Sequence, residues 1–332
     1  MPVVANEGRN IELPVLQEYE SCNEEIISGE LSPVTDVNTY TVPSGSIIIH
    51  SKDGITRVFS QNGKEVVCAN DEKAKKIATP GGFVPATYVH QVPSGSEVLR
   101  DGNVTMVYFN GEHILTEINE NEDSVATAQD YDGYIETASD WSVNELRSFS
   151  AYWTVPSDPP SPESDTVNFL FPAIEPSDGS EIIQPVLEWN NGGTGCWKGS
   201  AWYSTNGQYY HSTPITVQSS HTLEGAMDWI ESYGEWSTYL KDISTGAETS
   251  IYSSNFGSTD LAVFAAYEGY NIQDNSDVPG DTTFYNMDFL DTHNHAVDIT
   301  WAPWVSSSAS QYLTGLSVQI DSDSSVRLLT AN

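Results

Sequence analysis

Basic side chains are scarce in this chain: 12 Lys and Arg stand against 47 Asp and Glu among 332 residues, a formal net charge of −35. A surface of that sign repels phosphate backbones and anionic headgroups, which excludes nucleic acid and anionic membrane surfaces as partners. Cysteine is nearly absent as well. Cys22, Cys68 and Cys196 make no disulfide framework and fit no zinc spacing; a Cys22–Cys68 bridge is open to them and would leave Cys196 alone. No apolar run approaches the ~20 residues that span a bilayer. The start, from Met1 to Glu7, lacks the charged and apolar regions of a signal peptide, so either a leader has been removed or the protein is cytosolic. Also missing are a His-Glu-x-x-His pair, a Gly-x-Ser-x-Gly elbow, a phosphate-binding Gly-rich loop with Lys and the paired-Glu signature of sandwich-fold glucanases. Their absence argues against zinc peptidases, serine hydrolases, nucleotide enzymes and those glucanases. No cofactor and no metal is expected; His293 and His295 read as loop residues, and the Asp-rich stretches 274–281 and 321–323 as solvated turns.

Aromatic residues are plentiful. Nine Trp and 17 Tyr, with abundant Ser and Thr and few helix-favouring stretches, predict a mostly β protein. In the first third Val42-Pro43-Ser44-Gly45-Ser46 recurs as Val92-Pro93-Ser94-Gly95-Ser96. Each copy is followed by strand segments separated at Asp53-Gly54 and Asn62-Gly63, or at Asp101-Gly102 and Asn110-Gly111, which are hairpin turn dipeptides. Two three-stranded meanders are expected. Between them Asn70 to Ala78, with Glu72-Lys73-Ala74-Lys75-Lys76, predicts a short helix ended by Pro80-Gly81-Gly82. The acidic segment from Glu117 to Asp130 reads as a linker, dividing a repeat module (1–130) from a second domain (131–332). Beyond it, short alternating segments separated by Gly, Pro, Asn and Ser predict an antiparallel sandwich of jelly-roll, concanavalin-like type. Among these segments, Ile182–Trp189, Leu261–Glu268 and a cleanly alternating Val297–Trp301 are each expected to be a strand.

Within Glu181 to Trp189, two-residue alternation puts Ile182, Gln184, Val186 and Glu188 on one face, an amide and a carboxylate among them. A Gln and a Glu on a strand are most often the solvent side of such a pattern. The crowding of Trp197, Trp202, Tyr203, Tyr209 and Tyr210 reads as sandwich core or as the lining of a groove for a peptide or sugar.

From Phe149 to Phe289 the order of segments resembles the eqolisin-type glutamic peptidases. Phe149-Ser150-Ala151-Tyr152-Trp153-Thr154-Val155-Pro156 is similar to that family's opening strand, and Phe171-Pro172-Ala173-Ile174-Glu175 to its Trp-Val-Gly-Ile-Asp. Ile182-Ile183-Gln184 resembles Leu-Gln-Thr-Gly-Val, with Glu188 where an Asp commonly follows. Ala201-Trp202-Tyr203 resembles Ala-Trp-Tyr, Lys241 to Gly246 a Glu-Asn-Leu-Thr-Thr-Gly hairpin, and Thr283-Phe284-Tyr285-Asn286 a Thr-Phe-Thr-Asn strand. The chain departs from the pattern where Glu-Trp-Ile-Val-Glu is matched by Phe264-Ala265-Ala266-Tyr267-Glu268, and where Pro185-Val186 replaces Thr-Gly.

The resemblance implies a secreted or cell-surface, acid-active endopeptidase. Gln184 would polarise the scissile carbonyl and stabilise the oxyanion, and Glu268 would activate water and then protonate the leaving amine. Glu175, Glu188, Phe171, Trp202 and Tyr203 would support or line the cleft for a polypeptide substrate. Residues 1–130 would be either a prosegment that covers the cleft or a permanent accessory module. A non-catalytic carbohydrate-binding or adhesive sandwich is the alternative, and it fits the aromatic cluster and the altered Glu segment.

Overall fold

A computed structural model of the chain describes residues 42–121 and 133–332. Both meanders form as their turn dipeptides dictate. The first comprises β1 (Ser46–His50), β2 (Ile55–Phe59) and β3 (Glu65–Asn70). A short hairpin follows, β4 (Lys76–Thr79) and β5 (Gly82–Pro85), then β6 (Val89–Val92). The second meander is β7 (Ser96–Asp101), β8 (Val104–Phe109) and β9 (Glu112–Asn119). The glycine of each of the four turns has positive φ, between 61° and 78°, the left-handed conformation that glycine adopts without steric cost.

The helix expected over Asn70 to Ala78 does not form. One turn survives, with the amides of Lys73 and Ala74 bonded to the Asn70 carbonyl. Ile77, Ala78 and Thr79 instead pair with Val84, Phe83 and Gly82. Pro80-Gly81 is therefore a hairpin tip rather than a helix stop, and Gly81 and Gly82 there have φ of 110° and 134°. Local hairpin pairing of a β-branched end, seated by the Gly81 N–H on the distant Glu268 carboxylate, has overridden the propensity of the Lys-rich run.

The second part begins with β10 (Tyr134–Asn144), β11 (Leu146–Thr154), β12 (Val167–Pro176), β13 (Glu181–Trp189) and β14 (Trp197–Thr205). Next come β15 (Gln208–Ser212), β16 (Ile215–Thr216), β17 (Thr222–Ile230), β18 (Glu235–Asp242), β19 (Glu248–Ser254) and β20 (Asp260–Tyr270). The chain closes with β21 (Thr282–Asp291), β22 (Ala302–Val305), β23 (Ser317–Ser322) and β24 (Ser325–Leu329). The strand expected over Val297–Trp301 is absent. Burial still alternates, with Ile299 and Trp301 inside, but the backbone amides bond elsewhere: Val297 to the Phe289 carbonyl and Thr300 to the Asp140 carboxylate. Ladder pairing begins only at Ala302, against β10.

Two large sheets result, an all-β sandwich. One runs β22-β10-β20-β12-β13-β14-β15-β6, with β16 beside β14; the other includes β21-β11-β17-β18-β19-β7 and continues through both meanders. The repeat module thus extends both sheets, β6 pairing parallel with β15 and β7 parallel with β19. The domain boundary expected near residue 130 falls outside the described residues. Between the sheets lies the main core, with Phe149, Trp153, Trp197, Tyr203, Tyr210, Tyr267 and Phe284 all buried. Close sheet contact requires glycine at 225, where a β-carbon would stand 2.6 Å from the Pro185 ring and 2.9 Å from the Trp153 indole.

A second apolar cluster covers the outer face of the shorter sheet. Phe169, Phe171, Val186, Trp202, Tyr209, Ala262, Phe264 and Tyr270 belong to it, together with Ala78 and Val84 of the β4–β5 hairpin. That hairpin lies across the outer face, and this is the face that carries Gln184. Cys68 is disulfide-bonded, and Cys196 is free; Cys22 lies outside the described residues. Among the described residues no helix is long and apolar enough to cross a membrane.

Candidate active site

The faces of β13 sort as alternation requires. Ile183 and Leu187 point into the core between the sheets, whereas Ile182 and Val186 belong to the outer cluster, so Gln184 and Glu188 also face outward. Register then decides which groups meet. Gln184 lies opposite Trp202 on β14. On its other side, the pairings Leu170↔Leu187 and Ile174↔Ile183 put it across from Ala173. Ala173 in turn faces Phe264 of β20. The side chain aligned with the Gln184 amide on β20 is therefore a phenyl ring.

Glu268 sits elsewhere on the same face, opposite Phe169, which faces Glu188. Four residues along the strand at ~3.3 Å each, and two strand spacings of ~4.8 Å, put the Gln184 and Glu268 α-carbons on the order of 16 Å apart. Two side chains of that separation do not hold one water between them. Glu268 is fully buried, and its Oε2 accepts from the Gly81 backbone N–H and from the Tyr270 hydroxyl, each at 2.9 Å. Its Oε1 is buried without a partner. Burial pushes its pKa up to about 7, against the hydrogen bonds from Gly81, Tyr270 and Tyr134. In this arrangement Glu268 anchors the hairpin tip.

Glu175 is the carboxyl that the register brings next to Gln184. It faces Ala262 and lies across from Ile182, so it is the diagonal neighbour of Gln184 on the adjacent strand, roughly 7–8 Å between α-carbons. Both line a cavity of about 1540 Å³ whose wall includes the hairpin residues Pro80 to Val84 and the aromatics Tyr134, Trp141, Phe264, Tyr270 and Trp304. Pro172 and Pro185 face each other in the β12–β13 register and neither has an N–H to donate. The recorded pairing accordingly skips from Leu170–Leu187 to Ile174–Ile183, beside Gln184. The Gln184 side chain makes no hydrogen bond among the described residues and is 2 % exposed.

Two carboxyls at this end of the cavity are shifted in opposite directions. Burial, reinforced by the charge of Asp178, raises the Glu175 pKa to about 8. Asp178 also lines the cavity; hydrogen bonds from Ser180 hold its carboxyl below the usual range. Neighbouring carboxyls whose pKa values are driven apart can divide proton donation and acceptance between them.

The remaining predicted site residues fall outside the cavity lining. Glu188 is buried and accepts from Ser200 at 2.9 Å and Asn191 at 2.6 Å. Trp202 is 1 % exposed and donates its indole N–H to Ser200. Phe171 is packed in the outer cluster. Tyr203 faces the opposite side of the sheet, where its hydroxyl donates to Glu181 at 2.7 Å, so it cannot line this cleft. Sequence reasoning missed Asp178, Tyr134, Trp141, Trp304 and the hairpin wall. Nothing local in Asp178-Gly179 marks it as lining a cavity.

No family model matches the chain, and no curated protein matches it. Among solved structures it is similar to scytalido-glutamic peptidase bound to a peptide-based transition-state analogue, at 14 % identity and a TM-score of 0.44, over 60 % of this chain and 98 % of that one. It is also similar to SCP-B, a member of the eqolisin family of peptidases in complex with the tripeptide Ala-Ile-His, at 16 % identity and a TM-score of 0.43, again over 60 % and 98 %. A third similarity is to the CBM2 module of an evolved Dit protein from Lactobacillus casei BL23 phage J-1, at 12 % identity and a TM-score of 0.28, covering 55 % and 74 %.

Proposed function

We propose that the chain is a hydrolase of peptide bonds working in the cavity on the outer face of the shorter sheet. Gln184 supplies the amide that binds the scissile carbonyl and stabilises the oxyanion. Glu175, protonated below about pH 8, gives a proton to the leaving amine. Asp178, ionised, is the base available to draw a proton from water. The observation that carries this reading is the register that makes Gln184 and Glu175 neighbours on the cavity-lining face. Glu268 takes a positioning role through Gly81 instead of the acid–base role its sequence context suggested.

Secretion fits the Cys68 disulfide, which requires an oxidising compartment to persist. The β4–β5 hairpin supplies the intramolecular restraint: it covers the Glu268 end and leaves the Glu175 end open. The intact chain would then admit short peptides, and release of the hairpin would admit longer ones. Because the repeat module extends both sheets, this restraint does not require that residues 1–130 be removed.

The test is cleavage of a short-peptide mixture, followed by mass spectrometry, by the intact chain and by Gln184→Ala, Glu175→Gln and Asp178→Asn. Loss in all three supports the assignment; unchanged cleavage in Glu175→Gln ends it. A non-catalytic carbohydrate-binding sandwich is the second reading. It is favoured by Trp141 and Trp304, which line the cavity and are 47 % and 44 % exposed, as rings that stack on sugars must be. Retention on a polysaccharide column, lost in Trp141→Ala, without peptide cleavage by any form, selects it.

A further inference from the structure

Away from the cavity, three strands of the repeat module bring His50 of β1, His90 of β6 and Glu117 of β9 together. Their ligand-type atoms all lie within 4.8 Å of one another. Both imidazoles present Nε2 to the same carboxylate oxygen, Glu117 Oε1, at 2.5 Å from His50 and 3.1 Å from His90. His50 is fully buried, Glu117 is 1 % exposed and the His90 side chain 12 %.

Hydrogen-bond donors fix the chemistry of this meeting point. The Thr56 hydroxyl donates to Asp71 Oδ1 at 2.6 Å, so its oxygen is left to accept from His50 Nδ1 at 2.8 Å. His50 therefore carries its hydrogen on Nδ1, and in the neutral ring Nε2 has only a lone pair to turn toward the carboxylate. Two electron-rich atoms at 2.5 Å require a positive centre: a proton between them at that spacing, or a metal ion once they part to ~3.3 Å. Asp71 is itself held by the hydroxyls of Thr87 and Tyr88, and Glu117 Oε2 accepts from the Tyr210 hydroxyl of β15. A histidine held through the Thr56 hydroxyl to a carboxylate, and a carboxylate that is itself hydrogen-bonded, make the kind of outer shell that orients metal ligands. Gln208, 1 % exposed, has an amide in which neither polar atom completes a hydrogen bond. It stands beside His90, close enough to bear on that ring.

We propose that His50 Nε2, His90 Nε2 and Glu117 Oε1 form a binding site for a divalent transition-metal ion of the zinc class. The donor set of two imidazoles and one carboxylate suits such an ion. Metal–ligand distances of about 2.0–2.1 Å put tetrahedral donors ~3.3 Å apart, so the two imidazole–carboxylate spacings, 2.5 and 3.1 Å, each open by less than about 1 Å to accept one. The ion would tie β1, β6 and β9 together and, through Tyr210, brace the module against the sandwich. This site is independent of the peptide-hydrolysis reading.

Titration of the full chain with Zn²⁺ in a millimolar Mg²⁺ background, by calorimetry and thermal melting, tests the proposal. One equivalent should bind and raise the melting temperature, with reversal by a chelator. Co²⁺ in its place should give the visible absorption of a tetrahedral site. His90→Ala, the least buried of the three positions, should weaken Zn²⁺ by more than about a hundredfold. Changing both exposed loop histidines, His293→Ala and His295→Ala, should leave it unchanged. The wild-type titration needs no variant to fold. Absence of a stoichiometric site there, or a site lost with the loop histidines and kept in His90→Ala, overturns the proposal and leaves a proton between imidazole and carboxylate.

Discussion

Replacing Glu268 by Gln should change how stability depends on pH. Burial raises the folded-state pKa of Glu268 from 4.5 to about 7. Between those values the folded chain keeps the proton that the unfolded chain has released. The stability tied to that proton is fully present below about pH 4.5 and is lost as pH rises through 7. With 1.36 kcal/mol per pKa unit, the loss is roughly 3 kcal/mol, a large part of the 5–15 kcal/mol typical of a folded domain. Glutamine keeps an oxygen for the Gly81 N–H and cannot ionise, so Glu268→Gln should gain on the wild type by about that amount between pH 4 and pH 8. Urea denaturation of both proteins across this range measures the difference directly. A wild-type-minus-variant difference flat with pH, or one that grows in the opposite direction, would refute the reasoning.

Three further outcomes are expected. Glu136, buried with its Oε1 on the Ser317 N–H at 2.6 Å and its Oε2 unpartnered, has a pKa raised to about 8 by burial; Glu136→Gln should likewise flatten the loss of stability between about pH 4.5 and 8, read from the same denaturation series. Gly81→Ala, at a φ of 110°, should cost about 1–3 kcal/mol and increase protease nicking at residues 76–85. Trp153→Ala, emptying a fully buried position that packs at a tilt against Phe284, should destabilise by about 3–5 kcal/mol without changing which peptides are cut.

Much of this fold is legible locally. The Val-Pro-Ser-Gly-Ser repeat and its Asp-Gly and Asn-Gly turns specify the two meanders because a two-residue hairpin turn is decided by its own dihedral preferences. The outward face of β13 follows from alternation alone. What alternation cannot give is pairing between strands distant in sequence. Nothing within Phe264 to Glu268 says whether residue 264 or residue 268 stands across Ala173 from Gln184, since that depends on an unbroken register between β12 and β20. Motif order led to Glu268, and the register leads to Phe264 and, diagonally, to Glu175. The hairpin at 76–85 was hidden for a related reason: its pairing is local, but its seat is the Glu268 carboxylate, 187 residues away from Gly81. The Val297–Trp301 segment shows the limit from the other side, with the burial rhythm of a strand and backbone partners that make it none.

Cleavage of a short-peptide library from about pH 3 to about pH 9, by the intact chain beside Gln184→Ala, Glu175→Gln and Glu268→Gln, bears most directly on where the chemistry lies. The account predicts cleavage that falls above about pH 8 as Glu175 ionises, a loss of about a hundredfold or more in the first two variants, and a loss under about tenfold in Glu268→Gln. Full activity in Glu175→Gln together with abolition in Glu268→Gln, or no cleavage by the wild type at any pH, would contradict it.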